Sequence, residues 1–161
     1  MHNTKFWKTL KSRGITFCSG VPDSTFSNIY QPMFEDPDIR YVPAIREDVA
    51  MGIASAAYFN DAIGAVIMQN SGIGNLVNPL TSFNLMYKIP ALIIVGWRGY
   101  SQDAPEHEIM GKKTLDFFDL LEMPYKIPDE DNFGEVLDEL LLQIRKYSIP
   151  GALIIRSGVI K

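Results

Sequence analysis

The paired carboxylates of Arg46-Glu47-Asp48 are the residues of this 161-residue chain best suited to moving a proton. They precede a run of small residues, Val49-Ala50-Met51-Gly52-Ile53-Ala54-Ser55-Ala56-Ala57, along which a flat ligand or another backbone can approach closely. Acidic residues in a first turn are also favoured by the helix dipole, and tight packing on a sheet accounts for the small residues, so both readings stand at this point. A second cluster, Gln69-Asn70-Ser71-Gly72-Ile73-Gly74-Asn75-Leu76-Val77-Asn78, has the outline of a dinucleotide-binding turn, but Val77 occupies the third glycine position. Nor is it a nucleophile elbow, since Gln69 and Ile73 flank Ser71 where that motif has glycines. What remains is a turn of amides and a hydroxyl, suited to hydrogen-bonding the edge of a heterocycle, although Asn75 and Asn78 equally suit capping. A third cluster, Gly20-Val21-Pro22-Asp23-Ser24, offers Asp23 and Ser24 as ligand contacts or as helix caps. Arg98 and His107 share the stretch 97–112 and could together face an anion, the guanidinium fork matching phosphonate or sulfonate oxygens. No second His or Cys stands at ligand spacing from His107, so no metal site is expected.

To position these clusters the chain alternates short β-rich apolar runs with longer helix-period segments, the pattern of a three-layer, doubly wound α/β fold with a mostly parallel sheet. Strands are predicted over 15–19, 40–45, 65–69, 91–96, 125–127 and 152–156, and helices over 4–12, 24–34, 47–59, 76–87, 114–121 and 133–147. Several strands are apolar throughout, as parallel strands covered on both faces must be. The last helix repeats Val136, Leu137, Leu140, Leu141 and Ile144 at helical spacing, with Asp131 or Asn132 as its N-cap. Each polar cluster then falls at the carboxyl end of a strand, where open parallel sheets bind ligands, and 97–112 is predicted as a long loop.

Length and the lack of a linker or internal repeat predict one domain over residues 1–161. A content of 47% hydrophobic and 21% charged residues is that of a globular protein. The net charge of −4, with Lys and Arg dispersed singly, gives no footprint for nucleic acid or an anionic membrane. The longest apolar stretch, around Ala91 to Gly96, is far short of the roughly 20 residues of a membrane span. A start without a signal-peptide pattern and a sole cysteine, Cys18, within an apolar run predict a cytoplasmic protein whose thiol has no chemical role.

Together, Gly20-Val21-Pro22-Asp23-Ser24, Gln69-Asn70-Ser71-Gly72-Ile73-Gly74-Asn75 and Gly96-Trp97-Arg98-Gly99 with Asp103-Ala104-Pro105-Glu106-His107 resemble the pyrimidine-binding domain of phosphonopyruvate and sulfopyruvate decarboxylases. The resemblance runs in order across nearly the whole chain. These are thiamine diphosphate enzymes, and the likeness implies that Glu47, at the end of the second strand, hydrogen-bonds the cofactor pyrimidine and promotes its imino tautomer. It further implies catalytic parts for Asp23 and His107, cofactor-side contacts from Asn70, Ser71, Gly72 and Asn75, and substrate contacts from Asp23, Ser24, Arg98 and His107.

In that family a second domain holds Mg²⁺ and the diphosphate through a Gly-Asp-Gly motif, which these 161 residues lack. The resemblance therefore implies a partner β subunit carrying that motif, in an α2β2 or larger assembly that decarboxylates a small anionic 2-oxo acid. Val21-Pro22-Asp23-Ser24 and Gly96-Trp97-Arg98-Gly99 favour 3-phosphonopyruvate, whereas Arg46-Glu47-Asp48 and a separate subunit favour 3-sulfopyruvate; the first is preferred slightly. Two alternatives stand beside this reading. One is a non-catalytic regulatory or binding subunit of the same fold; the other is an NADP-binding oxidoreductase domain using Gly72-Ile73-Gly74 and Arg98.

Overall fold

In a computed structural model describing residues 1–161, the apolar runs pair into one six-stranded, all-parallel sheet of order β2-β1-β3-β4-β6-β5. The strands are β1 (Phe17–Gly20), β2 (Arg40–Pro43), β3 (Ala65–Gln69), β4 (Leu92–Trp97), β5 (Tyr125–Lys126) and β6 (Gly151–Arg156). The helices are α1 (Asn3–Lys11), α2 (Ser27–Glu35), α3 (Glu47–Ser55), α4 (Ile73–Pro79), α5 (Glu108–Leu120) and α6 (Phe133–Tyr147).

Because successive side chains leave opposite faces of a strand, the same strands feed two cores. Ile67, Ile94 and Leu153 join Phe6, Trp7, Ile29 and Phe133 on the side of α1, α2 and α6. Val66, Met68, Val95 and Ile154 join Ala50, Met51, Leu76 and Phe118 on the side of α3, α4 and α5. A strand that serves both sides has no polar face, which is why these runs read as apolar throughout. The small residues of α3 follow from the same packing: Ala50, Met51, Ala54 and Ser55 are all buried.

The chain crosses from β1 to β2 through α2 on one face and from β2 to β3 through α3 on the other, so the strand order reverses at the β1/β3 pair. Such a reversal leaves a crevice beyond the carboxyl ends of the two strands, and the polar clusters after β1, β2 and β3 converge there.

Among the departures from expectation are two helix starts and one cap. The helix expected at 114 begins at Glu108, so the stretch after β4 is irregular only over 98–104 before a 3₁₀ turn at Pro105–His107. Its first turns carry no apolar period: Ile109 is exposed, and Gly111 packs backbone to backbone against Gly99, where a Cβ on Gly99 would lie 2.1 Å from the His107 carbonyl oxygen. The helix expected at 76–87 starts at Ile73 and, beyond Pro79, widens into a π-helical turn at Leu80–Asn84. Asn132 is the N-cap of α6, but its side chain does not cap the helix; its Oδ1 accepts from the Asp129 backbone N–H at 2.7 Å.

Cys18 is fully buried, and burial pushes its thiol up to about 12. At pH 8 the folded protein therefore stays unreactive toward an aromatic disulfide reagent, and one equivalent reacts only after unfolding in urea. Stoichiometric labelling of the native protein within minutes would contradict the buried placement. No helix is long and apolar enough to cross a membrane.

Candidate active site

Two carboxylates leave β2 together, and their surroundings separate them. Asp48 is taken by Arg46, whose Nε and Nη2 reach it at 3.1 and 2.9 Å, and that guanidinium holds its carboxyl below the usual carboxylate range. Glu47, half-buried as the first residue of α3, receives a single hydrogen bond: Asn75 Nδ2 donates to Oε2 at 2.7 Å, and Oε1 has no partner in the chain. Its side chain lies against Gly72, where a Cβ would come within 2.5 Å of Glu47 Cγ, Cδ and Oε1. Gly72 is thus a cradle for the carboxylate. The same contact argues against a dinucleotide turn at Gly72-Ile73-Gly74, because a pyrophosphate there would meet a carboxylate.

The β1 end adds a second carboxylate. Asp23 Oδ1 accepts from the Thr25 N–H at 2.6 Å and caps the 3₁₀ turn Ser24–Phe26, so the capping reading of Asp23 holds. Its Oδ2 is buried and has no protein partner, as are the Tyr30 hydroxyl and Thr25 Oγ1. Tyr41 donates its hydroxyl to the Gly20 carbonyl at 3.0 Å, and burial first, then the nearby charges including Asp23, pushes it up to about 12. Burial and the same carboxylate also raise Tyr30. One oxygen of Asp23 therefore does structural work and the other is free for a proton or a polar ligand.

Ser24 meets Arg98: Nη1 points to Ser24 Oγ at 3.4 Å. The expected open fork is not there, however. Arg98 Nε and Nη2 are both donated to Asp103 at 2.7 Å, and Asp103 also accepts from the Gly99 and Ala104 N–H groups, which together with Arg98 hold its carboxyl well below the usual range. For an anion Arg98 keeps Nη1 and the second N–H of Nη2. Beside it lies a cavity of about 300 Å³ lined by Ser24, Thr25, Trp97, Arg98, Tyr100 and Ser157, at the ends of β1, β4 and β6.

Asn70, expected as a cofactor contact, is an internal strut. Its side chain is fully buried and spent on Arg98 and Thr114. Ser71 is exposed, and its hydroxyl is held by the Gln69 side chain. His107 ends the 3₁₀ turn half-buried, and its ring hydrogen-bonds none of the other candidates. Glu47, Gly72 and Asn75 thus form one group and Ser24, Arg98 and Asp103 another, with the Asp23 charge felt at Arg98. Tyr30, Tyr41, Thr25 and Ser157 carried no pattern in the sequence that marked them; only the fold brings them to the strand ends.

Residues 3–121 match the family model described as thiamine pyrophosphate enzyme, N-terminal TPP binding domain. The phosphonopyruvate decarboxylase of Streptomyces viridochromogenes is 34% identical over 155 residues, covering 94% of this chain and 39% of that protein. The sulfopyruvate decarboxylase subunit alpha of Methanothermobacter thermautotrophicus is 35% identical over 135 residues, or 80% of this chain and 82% of the relative. That of Methanocaldococcus jannaschii is 33% identical over 150 residues, or 92% and 89%. The chain therefore spans about two fifths of the phosphonopyruvate decarboxylase it matches and most of each alpha subunit.

Proposed function

This chain belongs to the thiamine pyrophosphate enzyme family, with the fold of its N-terminal cofactor-binding domain, and from that premise we propose that it is the α subunit of a decarboxylase acting on 3-phosphonopyruvate or 3-sulfopyruvate. The observation that carries the reading is Glu47, held through one oxygen by Asn75, cradled by Gly72, and left with its other oxygen unpartnered at the mouth of the β1/β3 crevice. That is the donor set an aminopyrimidine requires: a carboxylate oxygen to share a proton with a ring nitrogen, beside a backbone with no side chain in the way.

When bound, thiamine diphosphate supplies the electron sink for loss of carbon dioxide from a 2-oxo acid. Glu47 would hold the pyrimidine and keep a proton at Oε1, while Asn75 stops the carboxylate from turning away. Asp23 Oδ2, buried and unpartnered at the end of β1, is suited to exchanging a proton with a bound ligand. Arg98 Nη1 and Ser24 Oγ are suited to orienting a tetrahedral anionic head group, with His107 on the same segment as a further contact.

Mg²⁺ and the diphosphate are assigned to a partner β subunit carrying Gly-Asp-Gly. One observation supports this: relatives matched over most of their own length are named as alpha subunits. Ile45, 89% exposed, and Val49 flank Glu47 and would exclude water once covered by that partner. We read residues 1–161 as one pyrimidine-binding domain of an α2β2 or larger cytoplasmic assembly. To test the function, the chain is purified with the subunit that copurifies from its own cells, and carbon dioxide release is followed with thiamine diphosphate and Mg²⁺ on phosphonopyruvate, sulfopyruvate and pyruvate. Cofactor-dependent turnover of one anionic substrate is expected and names the head group; no turnover of any with cofactor bound would overturn the assignment.

A further inference from the structure

Asn70 is one of five fully or almost fully buried polar residues, and all three hydrogen-bonding positions that its carboxamide uses are filled by one neighbourhood. Its Nδ2 donates to the Arg98 carbonyl and to Thr114 Oγ1, both at 2.8 Å, and its Oδ1 accepts from the Arg98 N–H at 3.1 Å. Thr114 passes the contact on by donating to the Met110 carbonyl at 2.8 Å. One side chain thus grips both backbone groups of Arg98 and the first half of α5. It does so from the turn that, two residues later, places Gly72 under Glu47. Around this grip the segment after β4 is also held by Trp97 Nε1 on the Gly111 carbonyl, by Gly99 against Gly111, by the Arg98–Asp103 pair and by the long contact of Arg98 with Ser24.

We infer that Asn70 is a positioning residue that couples the Glu47 turn to Arg98 and so sets how far an anionic head group stands from the cofactor side of the site. The physical reason is rigidity. A buried amide with every partner in place resists displacement, because losing one bond strands a polar group without water. A substrate anchored at both ends responds to that spacing; one without a head group does not. The inference rests on the reading of Arg98 as the head-group ligand, whereas the coupling itself rests on the hydrogen bonds.

The test is Asn70→Asp in the complex with the copurifying subunit. The carboxylate keeps the acceptor used by the Arg98 N–H, sets oxygen against oxygen at the Arg98 carbonyl, and is satisfied by the Thr114 hydroxyl only if that group gives up the Met110 carbonyl. We expect KM for the anionic substrate to rise about tenfold or more, the gap expected from stranding a buried partner, while the affinity for pyruvate, read as its competitive inhibition constant, and the affinity for thiamine diphosphate stay within about twofold. Repulsion at its carbonyl should push the Arg98 peptide off the retained acceptor, so hydrogen exchange at the Arg98 amide should accelerate at least tenfold with exchange around Glu47 unchanged. Thr114→Val, which removes one of the three contacts without adding a buried charge, should shift KM and Arg98 exchange in the same direction by less, and it decides the matter should the aspartate variant fail to fold. Equal losses for pyruvate and the anionic substrate, weakened cofactor binding, or unchanged Arg98 exchange would each overturn the inference. If the wild-type complex decarboxylates nothing, the proposed function falls, and the exchange measurement still decides the coupling.

Discussion

Glu47→Gln lowers turnover of the anionic substrate by about 10²–10⁴-fold, the contribution of a positioned acid–base group. The substitution preserves size and leaves Asn75 an oxygen to donate to, so the fold and the cradle at Gly72 persist. What disappears is an oxygen that can hold a proton: the remaining position becomes an amide NH₂, which donates but cannot exchange a proton with a ring nitrogen. Carbon dioxide release by the intact complex measures the loss, and a fluorescence titration with thiamine diphosphate should show affinity within about tenfold of wild type. Asp48→Asn is the control. Asp48 already belongs to Arg46, so its replacement removes a surface ion pair worth little and should leave turnover within about twofold. Unchanged turnover in Glu47→Gln would favour the non-catalytic subunit over an enzyme.

Gly72→Ala separates stability from activity. Its backbone sits at φ −73° and ψ −10°, a conformation any L residue adopts, so the added methyl carries no backbone strain and reduces the freedom of the unfolded chain. The methyl would instead meet Glu47 Cγ, Cδ and Oε1 at 2.5 Å, and a half-buried glutamate can swing aside. We expect a melting temperature equal to or slightly above that of the wild-type protein, together with turnover lower by about 10²-fold, the effect of misplacing a reacting group by about 1 Å. Differential scanning calorimetry and the carbon dioxide assay on one preparation decide it. A large fall in melting temperature with proportionate activity would show Gly72 to be a packing residue with no bearing on the carboxylate.

The architecture was legible because it follows from local rules. Apolar runs with no polar face imply parallel strands between two helical layers, and α6 shows its period openly in Leu137, Leu140, Leu141 and Ile144, all buried. Where local signals were faint, boundaries moved. The start of α5 at Glu108 is unmarked by apolar spacing because Gly111 is held by a tertiary contact with Gly99, not by a stripe of its own. The π-helical turn after Pro79 is likewise a response to packing, with Leu80 and Asn84 buried beneath it.

The candidate site divides along the same line. Residue types at strand ends, read with a family likeness, nominate Glu47, Asp23, Ser24, Arg98 and Asn75 as candidates, because ligand-bearing loops follow strands at positions that short-range patterns mark. Nothing in the order of residues reveals that Asn75 binds Glu47, that Asn70 binds Arg98 and not a ligand, or that Asp103 fills the fork of Arg98. The first two links join residues 28 positions apart, across different strands of the sheet. A polar side chain takes whichever partner folding brings within about 3 Å, and burial then makes that choice expensive to undo. Composition and periodicity therefore specify the layers and the edge of the sheet where chemistry can occur. Which carboxylate oxygen is left free, and which amide is already spent, emerges only when distant segments pack.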